Sequence, residues 1–155
     1  MDRGQRVYFL CALLFSFVSA MAQGQSREIR TPLHWAAHHG LVEIAGQLLE
    51  AGADIDSPDI FGRTPLHLAV RHPSMVGFLV SEGATLDPRD HLSNTPLHAA
   101  IWVQSARTVE ILVAAGADVD ARNTGGYTPL DLAIRNGTSR ANRRLVSSLV
   151  GAGAR

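Results

Sequence analysis

The stretch Arg30–Gly40, RTPLHWAAHHG, contains a tetrapeptide that the chain goes on to repeat. TPLH returns at Thr64 and at Thr95, and the variant TPLD begins at Thr128, so successive copies lie 33, 31 and 33 residues apart. A period of this length is that of a stacked repeat architecture, in which each unit is one supersecondary element that cannot bury its apolar face alone. About three units are needed for a stable stack, and four are present.

Each copy is also an explicit helix start. Thr31, Thr64, Thr95 and Thr128 are placed as N-caps, where a hydroxyl satisfies an early amide, and Pro32, Pro65, Pro96 and Pro129 take the first helical position, where a missing N–H costs nothing. Small residues follow (Ala36, Ala37, Ala69, Ala99, Ala100, Ala133) and predict closely spaced first helices. A second helix in each unit holds larger side chains: Ile44, Leu48 and Leu49; Val76, Phe78 and Leu79; Val109, Ile111 and Leu112; Leu145, Val146 and Leu149. These are expected to build the core. Gly52, Gly83, Gly116 and Gly153 stop the second helices, and stretches such as ADIDSPDIFG predict hairpin-like loops between units.

Departures from the pattern are as informative. The second unit is two residues short, with Pro73 set to begin its second helix directly. Ser93 replaces the usual turn glycine before Thr95. The last unit has the insertion NGTSRANRR and Asp131 in place of histidine, with Arg140, Arg143 and Arg144 expected to face solvent as a polar end cap.

In the order of turn, TPLH-A, short helix, second helix with paired leucines and GAD, the chain resembles the ankyrin repeat family over residues 27–155. That resemblance implies an all-α solenoid of four helix-turn-helix repeats with hairpin-like loops. The repeats would span about 27–59, 60–90, 91–123 and 124–155, within a domain covering 23–155. It implies that His34, His67 and His98 make hydrogen bonds within and between repeats, that loop aspartates satisfy loop amides, and that a protein partner docks on the concave side. Carried onto this chain, that side comprises Arg30, His38 and His39; Ile60, Phe61, Arg63, Arg71 and His72; Arg89, His91, Leu92, Asn94, Trp102 and Val103; and Arg122, Thr124, Tyr127, Arg135 and Asn136. Arginine, histidine and aromatic side chains dominate the set, and it includes no acidic residue. Arginine and the aromatics are the types enriched at binding hot spots, so a partner with an acidic patch is expected. The alternative is that loops and helix ends are solvated and simply tolerate arginine, a reading that Phe61, Leu92 and Trp102 strain.

The first 22 residues read differently. Arg3 and Arg6 form a positive start, Val7–Val18 is an apolar run of 12 residues, and Ala20-Met21-Ala22 supplies a small-residue cleavage pattern. The run is short of the roughly 20 apolar residues that span a bilayer. Residues 1–22 are therefore expected to be a secretory signal peptide cleaved after Ala22, which sends the protein to a periplasm or outside the cell. The single cysteine, Cys11, lies within this segment and has no lipobox before it. The mature chain would depend on packing alone, without disulfides.

Composition narrows the function. The chain is 46% hydrophobic and 18% charged, with formal net charge +0 and all 14 cations arginine, so no global basic field draws it to nucleic acid or anionic lipid. His34 and His38 have the i, i+4 spacing of a helical metal pair, but no HExxH motif or cysteine partner accompanies them. DIDSPD and DVDARN lack the glycine and the terminal glutamate of a calcium loop. There is no GxSxG, no phosphate-cradling glycine loop and no cysteine in the mature chain. Asn136-Gly137-Thr138 would be a glycosylation sequon only in a eukaryotic source. The expectation is an exported, monomeric, non-enzymatic protein-binding module without cofactor, nucleic-acid or membrane partner. The rival is a secreted effector acting on a host target.

Overall fold

A computed structural model describes residues 30–137 and 140–154. The expected signal peptide, the first residues of repeat 1 and Thr138, the last residue of the glycosylation sequon, lie outside the described residues, as does the Arg140 side chain. The described residues form eight α-helices and no β-strand. Repeat 1 contributes α1 (Pro32–His39) and α2 (Val42–Glu50); repeat 2, α3 (Pro65–Leu68) and α4 (Pro73–Ser81); repeat 3, α5 (Pro96–Trp102) and α6 (Ala106–Ala114); repeat 4, α7 (Pro129–Arg135) and α8 (Arg140–Gly151). First helices stack on first helices and second on second along the four repeats.

The helix starts are those the tetrapeptide dictates. All four threonines are extended N-cap residues followed by proline, and each closes a reciprocal capping box with the third helical residue. In the first three repeats that residue is His34, His67 or His98; in repeat 4 Asp131 does the same with a carboxylate, its Oδ2 accepting from the Thr128 amide at 2.9 Å. The shortened repeat 2 resolves its missing residues by winding α3 into a 3₁₀ turn, Ala69–Arg71, before Pro73 opens α4. The tighter turn saves length without losing the cap. Gly52, Gly83, Gly116 and Gly153 all sit just past the second helices with positive φ.

The core differs in one respect from expectation. Leu48, Val76, Leu79, Val109, Leu112, Leu145 and Leu149 are buried, whereas Ile44, Leu49, Phe78, Ile111 and Val146 are only partly so and pack along its flank. Second helices form the outer layer, so a single stripe of each meets the first helices. The remaining core comes from the inner layer: the leucine of each tetrapeptide, Leu33, Leu66, Leu97 and Leu130 excepted only in the last case, is fully enclosed, together with Ile101 and the alanines Ala36, Ala69, Ala100 and Ala133. At the C-terminal end Arg143 and Arg144 are exposed as expected. Ile134 and Val150 are exposed beside them, since no further repeat packs against α7 and α8 among the described residues. Asn142, buried, donates to the carbonyls of Ala133 and Gly137 and so ties α8 to the end of α7.

Candidate functional site

The loops that precede the tetrapeptides at Thr64, Thr95 and Thr128 are each built on one side chain. Asp59 Oδ1 accepts from the amides of Phe61 and Arg63 at 2.8 and 2.9 Å, Asp90 Oδ1 from Leu92 and Asn94 at 2.9 and 2.8 Å, and Asn123 Oδ1 from Gly125 and Tyr127 at 3.0 and 3.1 Å. A two-residue-on, four-residue-on clamp of this kind holds a tight turn without any neighbouring strand. The tips then join one another: the His91 amide donates to the Phe61 carbonyl, and the Thr124 amide to the Leu92 carbonyl, both at 2.9 Å. The tips therefore form a continuous margin beside the inner helices.

Along this margin and the ends of the first helices, the residues expected to bind a partner divide into two groups. In the first, the polar group is engaged in holding the fold. Arg63 donates through Nε and Nη2 to Asp59 Oδ2 at 3.0 and 2.8 Å and lies over the Phe61 ring at 4.6 Å. Burial pushes the Asp59 carboxyl up, but these bonds and the Arg63 and Phe61 amides outweigh it and hold it below the usual range. Arg30 stands 3.8 Å from the same carboxylate. His72 donates from Nε2 to the His38 carbonyl at 3.0 Å, with its ring laid against Gly40, where a Cβ would come within 2.6 Å of Nδ1. It is a strut between repeats 1 and 2. Arg122 donates to the Gly126 carbonyl at 2.8 Å and its own carbonyl accepts from Arg89. Arg135 donates to the Tyr127 hydroxyl at 2.6 Å and covers that ring at 4.5 Å. His39 donates to the Trp35 carbonyl and stacks on Trp35 with centroids 4.4 Å apart.

The second group is open. Leu92 and Trp102 are 62% and 61% exposed and Phe61 43%. His91 is exposed at a tip. His38 and Arg71 occupy equivalent positions at the ends of α1 and the 3₁₀ turn, and Trp102 takes the same position at the end of α5. These three side chains line one hollow of about 250 Å3, whose walls also include Arg63, Asp90, Asn94 and Val103. The expectation of a concave face without acid is corrected here. Asp59 lies buried beneath Arg63, and Asp90, though it is the clamp of its own loop, forms part of the hollow's wall. The expectation that loop aspartates satisfy loop amides holds for both through their Oδ1 atoms; what the sequence did not reveal is the second engagement of each, Oδ2 of Asp59 with Arg63 and Oδ2 of Asp90 with Asn94 Nδ2.

Among the described residues no group of three or more histidine, cysteine or carboxylate side chains could hold a metal ion. None of the described helices is long and apolar enough to cross a membrane.

The family model for ankyrin repeats matches in three overlapping copies, at residues 7–90, 33–123 and 72–154. The chain belongs to the ankyrin repeat family. Among curated proteins it is similar to mouse Rabankyrin-5, 44% identical over 52 residues, which is 34% of this chain and 4% of that protein. It is also similar to chicken NF-kappa-B inhibitor alpha, 42% identical over 57 residues, 37% of this chain and 18% of that protein. A rice potassium channel, KOR2, matches at 44% over 64 residues, 41% of this chain and 9% of that protein. The chain thus spans a small part of each of these relatives. Ankyrin repeats are protein–protein interaction modules, and the family is generally non-enzymatic.

Proposed function

We propose that this ankyrin repeat protein is a non-enzymatic binding module that acts outside the cytoplasm and holds a protein partner on its concave face, as a monomer. The observation that supports the face is the contrast between its two groups of residues. The engaged group holds the loops and helix ends, and beside it Trp102 and Leu92, with Phe61 partly covered by Arg63, present exposed apolar surface. Rigid aromatic anchors with few rotamers to freeze are the side chains that bind at low entropic cost. NF-kappa-B inhibitor alpha, by its name, acts on another protein, which is in keeping with a binding role for the shared repeats. Export rests on the series Arg3, Arg6, Val7–Val18 and Ala20-Met21-Ala22.

Two measurements test the reading. Mass spectrometry of the protein from its native cells should find a chain beginning at Gln23 in an extracytoplasmic fraction; a chain retaining Met1 in the cytosol would remove the export half. Photo-cross-linking from Trp102 and from a convex position such as Glu110, in the native compartment, should give a partner adduct from Trp102 alone. Adducts from Glu110 alone would move the function to the outer helices.

A further inference from the structure

The hollow combines three properties that need not coincide. The Arg71 side chain is exposed and makes no hydrogen bond or ion pair within the described residues, unlike Arg63 beside it and Arg89, Arg122 and Arg135 elsewhere on the face. His38 faces positive or titratable groups from each element beside it: Arg30 before its helix, His39 on its helix, Arg71 on the 3₁₀ turn and His72 at the start of α4. Trp102 and Val103, from the next repeat, supply the apolar wall. Asp90 also lines the hollow, but its Oδ1 is bound to the Leu92 and Asn94 amides and its Oδ2 accepts from Asn94 Nδ2 at 3.2 Å. Its carboxylate is thereby turned to its own loop.

Resting on the concave-face reading above, we infer that the hollow is a proton-linked seat for an acidic–apolar peptide segment. A carboxylate of the partner would be held by Arg71 and His38, with the adjacent apolar side chain against Trp102. Charge complementarity selects this occupant. A guanidinium fork without a partner matches a carboxylate in shape and charge, and the aromatic wall sits one repeat away along the same row. Partial burial, followed by the charges of His39, Arg30, His72 and Arg71, holds the His38 imidazole below its ordinary value in the free protein. A docked carboxylate between Arg71 and His38 adds an opposite charge beside the imidazole and so raises its proton affinity, and His38 takes up a proton as the segment binds. By linkage, affinity then rises as pH falls through the bound-state value and levels off below the free-state value.

The test is selection of short random displayed peptides on the purified mature protein, followed by titration of one selected peptide. The expected consensus places Asp or Glu next to an aromatic or aliphatic residue. Arg71→Gln should weaken that peptide about ten-fold, the size of a lost charge-assisted hydrogen bond, and Trp102→Ala should weaken it while leaving the acidic preference. His38→Gln should retain binding near neutral pH and abolish its strengthening between about pH 7.5 and pH 5.5. Thermal melting checks that each variant is folded. Calorimetry in buffers of different ionisation enthalpy should show proton uptake for the native protein and none for His38→Gln. A consensus without acid, or binding indifferent to Arg71→Gln, overturns the seat while leaving the concave face in place if Trp102→Ala still weakens it. Peptides insensitive to all three variants, or no selected peptide, overturn the seat and the concave face together.

Discussion

The imidazole of His67 donates from Nε2 to the Asn94 carbonyl at 3.0 Å while its Nδ1 accepts the Thr64 amide at 3.2 Å. One ring thus closes the cap of its own helix and grips the loop of the next repeat. His34 and His98 repeat the arrangement with the carbonyls of Arg63 and Tyr127, at 2.9 and 3.0 Å. Because the Thr64 amide bond is buried and the Asn94 carbonyl bond partly so, His67→Leu should cost about 1–3 kcal/mol, the penalty for leaving buried polar groups unpaired. Urea denaturation with an unchanged m-value checks it. A loss below about 0.5 kcal/mol would show that water replaces the ring.

The same three imidazoles give the protein an acid-sensitive stack. Burial holds His34, His67 and His98 below the ordinary histidine value, against the opposing pull of their carbonyl partners. In the unfolded chain they titrate near 6.5. Between the folded and unfolded values the unfolded chain binds more protons, so their contribution is complete above about pH 6.5 and is lost as pH falls toward the folded values. Denaturant midpoints should therefore drop from about pH 7 to about pH 5, before the lowered carboxyls of Asp59 and Asp131 begin to titrate. A midpoint that rises over this range contradicts the geometry.

Two residues hold a backbone conformation that suits glycine. Ser93 and Gln104 have φ of 57° and 56°, where the equivalent positions of other repeats carry Gly62 and Gly126, or Gly40 and Gly137, also at positive φ. Left-handed backbone costs an ordinary L-residue about 1–2 kcal/mol. Ser93→Gly and Gln104→Gly should each raise stability, by about 0.5–1 kcal/mol after the greater freedom of glycine in the unfolded chain is counted. Thermal melts of the two single variants and the double decide it; a fall in either would mean that the native side chain compensates for its backbone.

Arg63 and Arg71 look interchangeable as surface cations and should behave as opposites. Arg63→Gln leaves the buried Asp59 Oδ2 without two of its donors and should cost about 1–3 kcal/mol. Arg71→Gln removes a group with no internal partner and should stay within about 0.5 kcal/mol of the native protein. Equal losses in chemical denaturation would erase the distinction on which the candidate site is built.

Leu112 is fully enclosed and Ile111 beside it only partly. Leu112→Ala should cost about 2–5 kcal/mol and Ile111→Ala distinctly less, since the flank can relax and water already reaches it. Comparable costs would place both residues in the core.

The fold was legible because its signals are local. A threonine, a proline and a glycine each act within one turn of backbone, and their 33-, 31- and 33-residue spacing was visible without any knowledge of packing. Even Ser93 could be marked as misplaced. The division of the concave face was not legible, because it depends on contacts between residues from different repeats. Nothing near His72 in the chain reports that its ring reaches the His38 carbonyl 34 residues away, and Arg63 and Arg71 differ only in whether an aspartate lies within reach. The outer rows of the second helices were likewise misjudged, as Ile44 and Leu48 are equally apolar and differ only in which way the helix turns them.

The histidine latches all point the same way. Each Nε2 reaches forward to a carbonyl of the following repeat, from His34 to Arg63, from His67 to Asn94 and from His98 to Tyr127. Asp131, with no ring, closes its own cap and reaches no further. Each latch is thus completed only when the next repeat is in place: without repeat 4 the ring N–H of His98 returns to water, and without repeat 1 the Arg63 carbonyl does. Order is therefore handed from one repeat to its neighbour, since the histidine that caps each unit is finished by backbone that the following unit supplies.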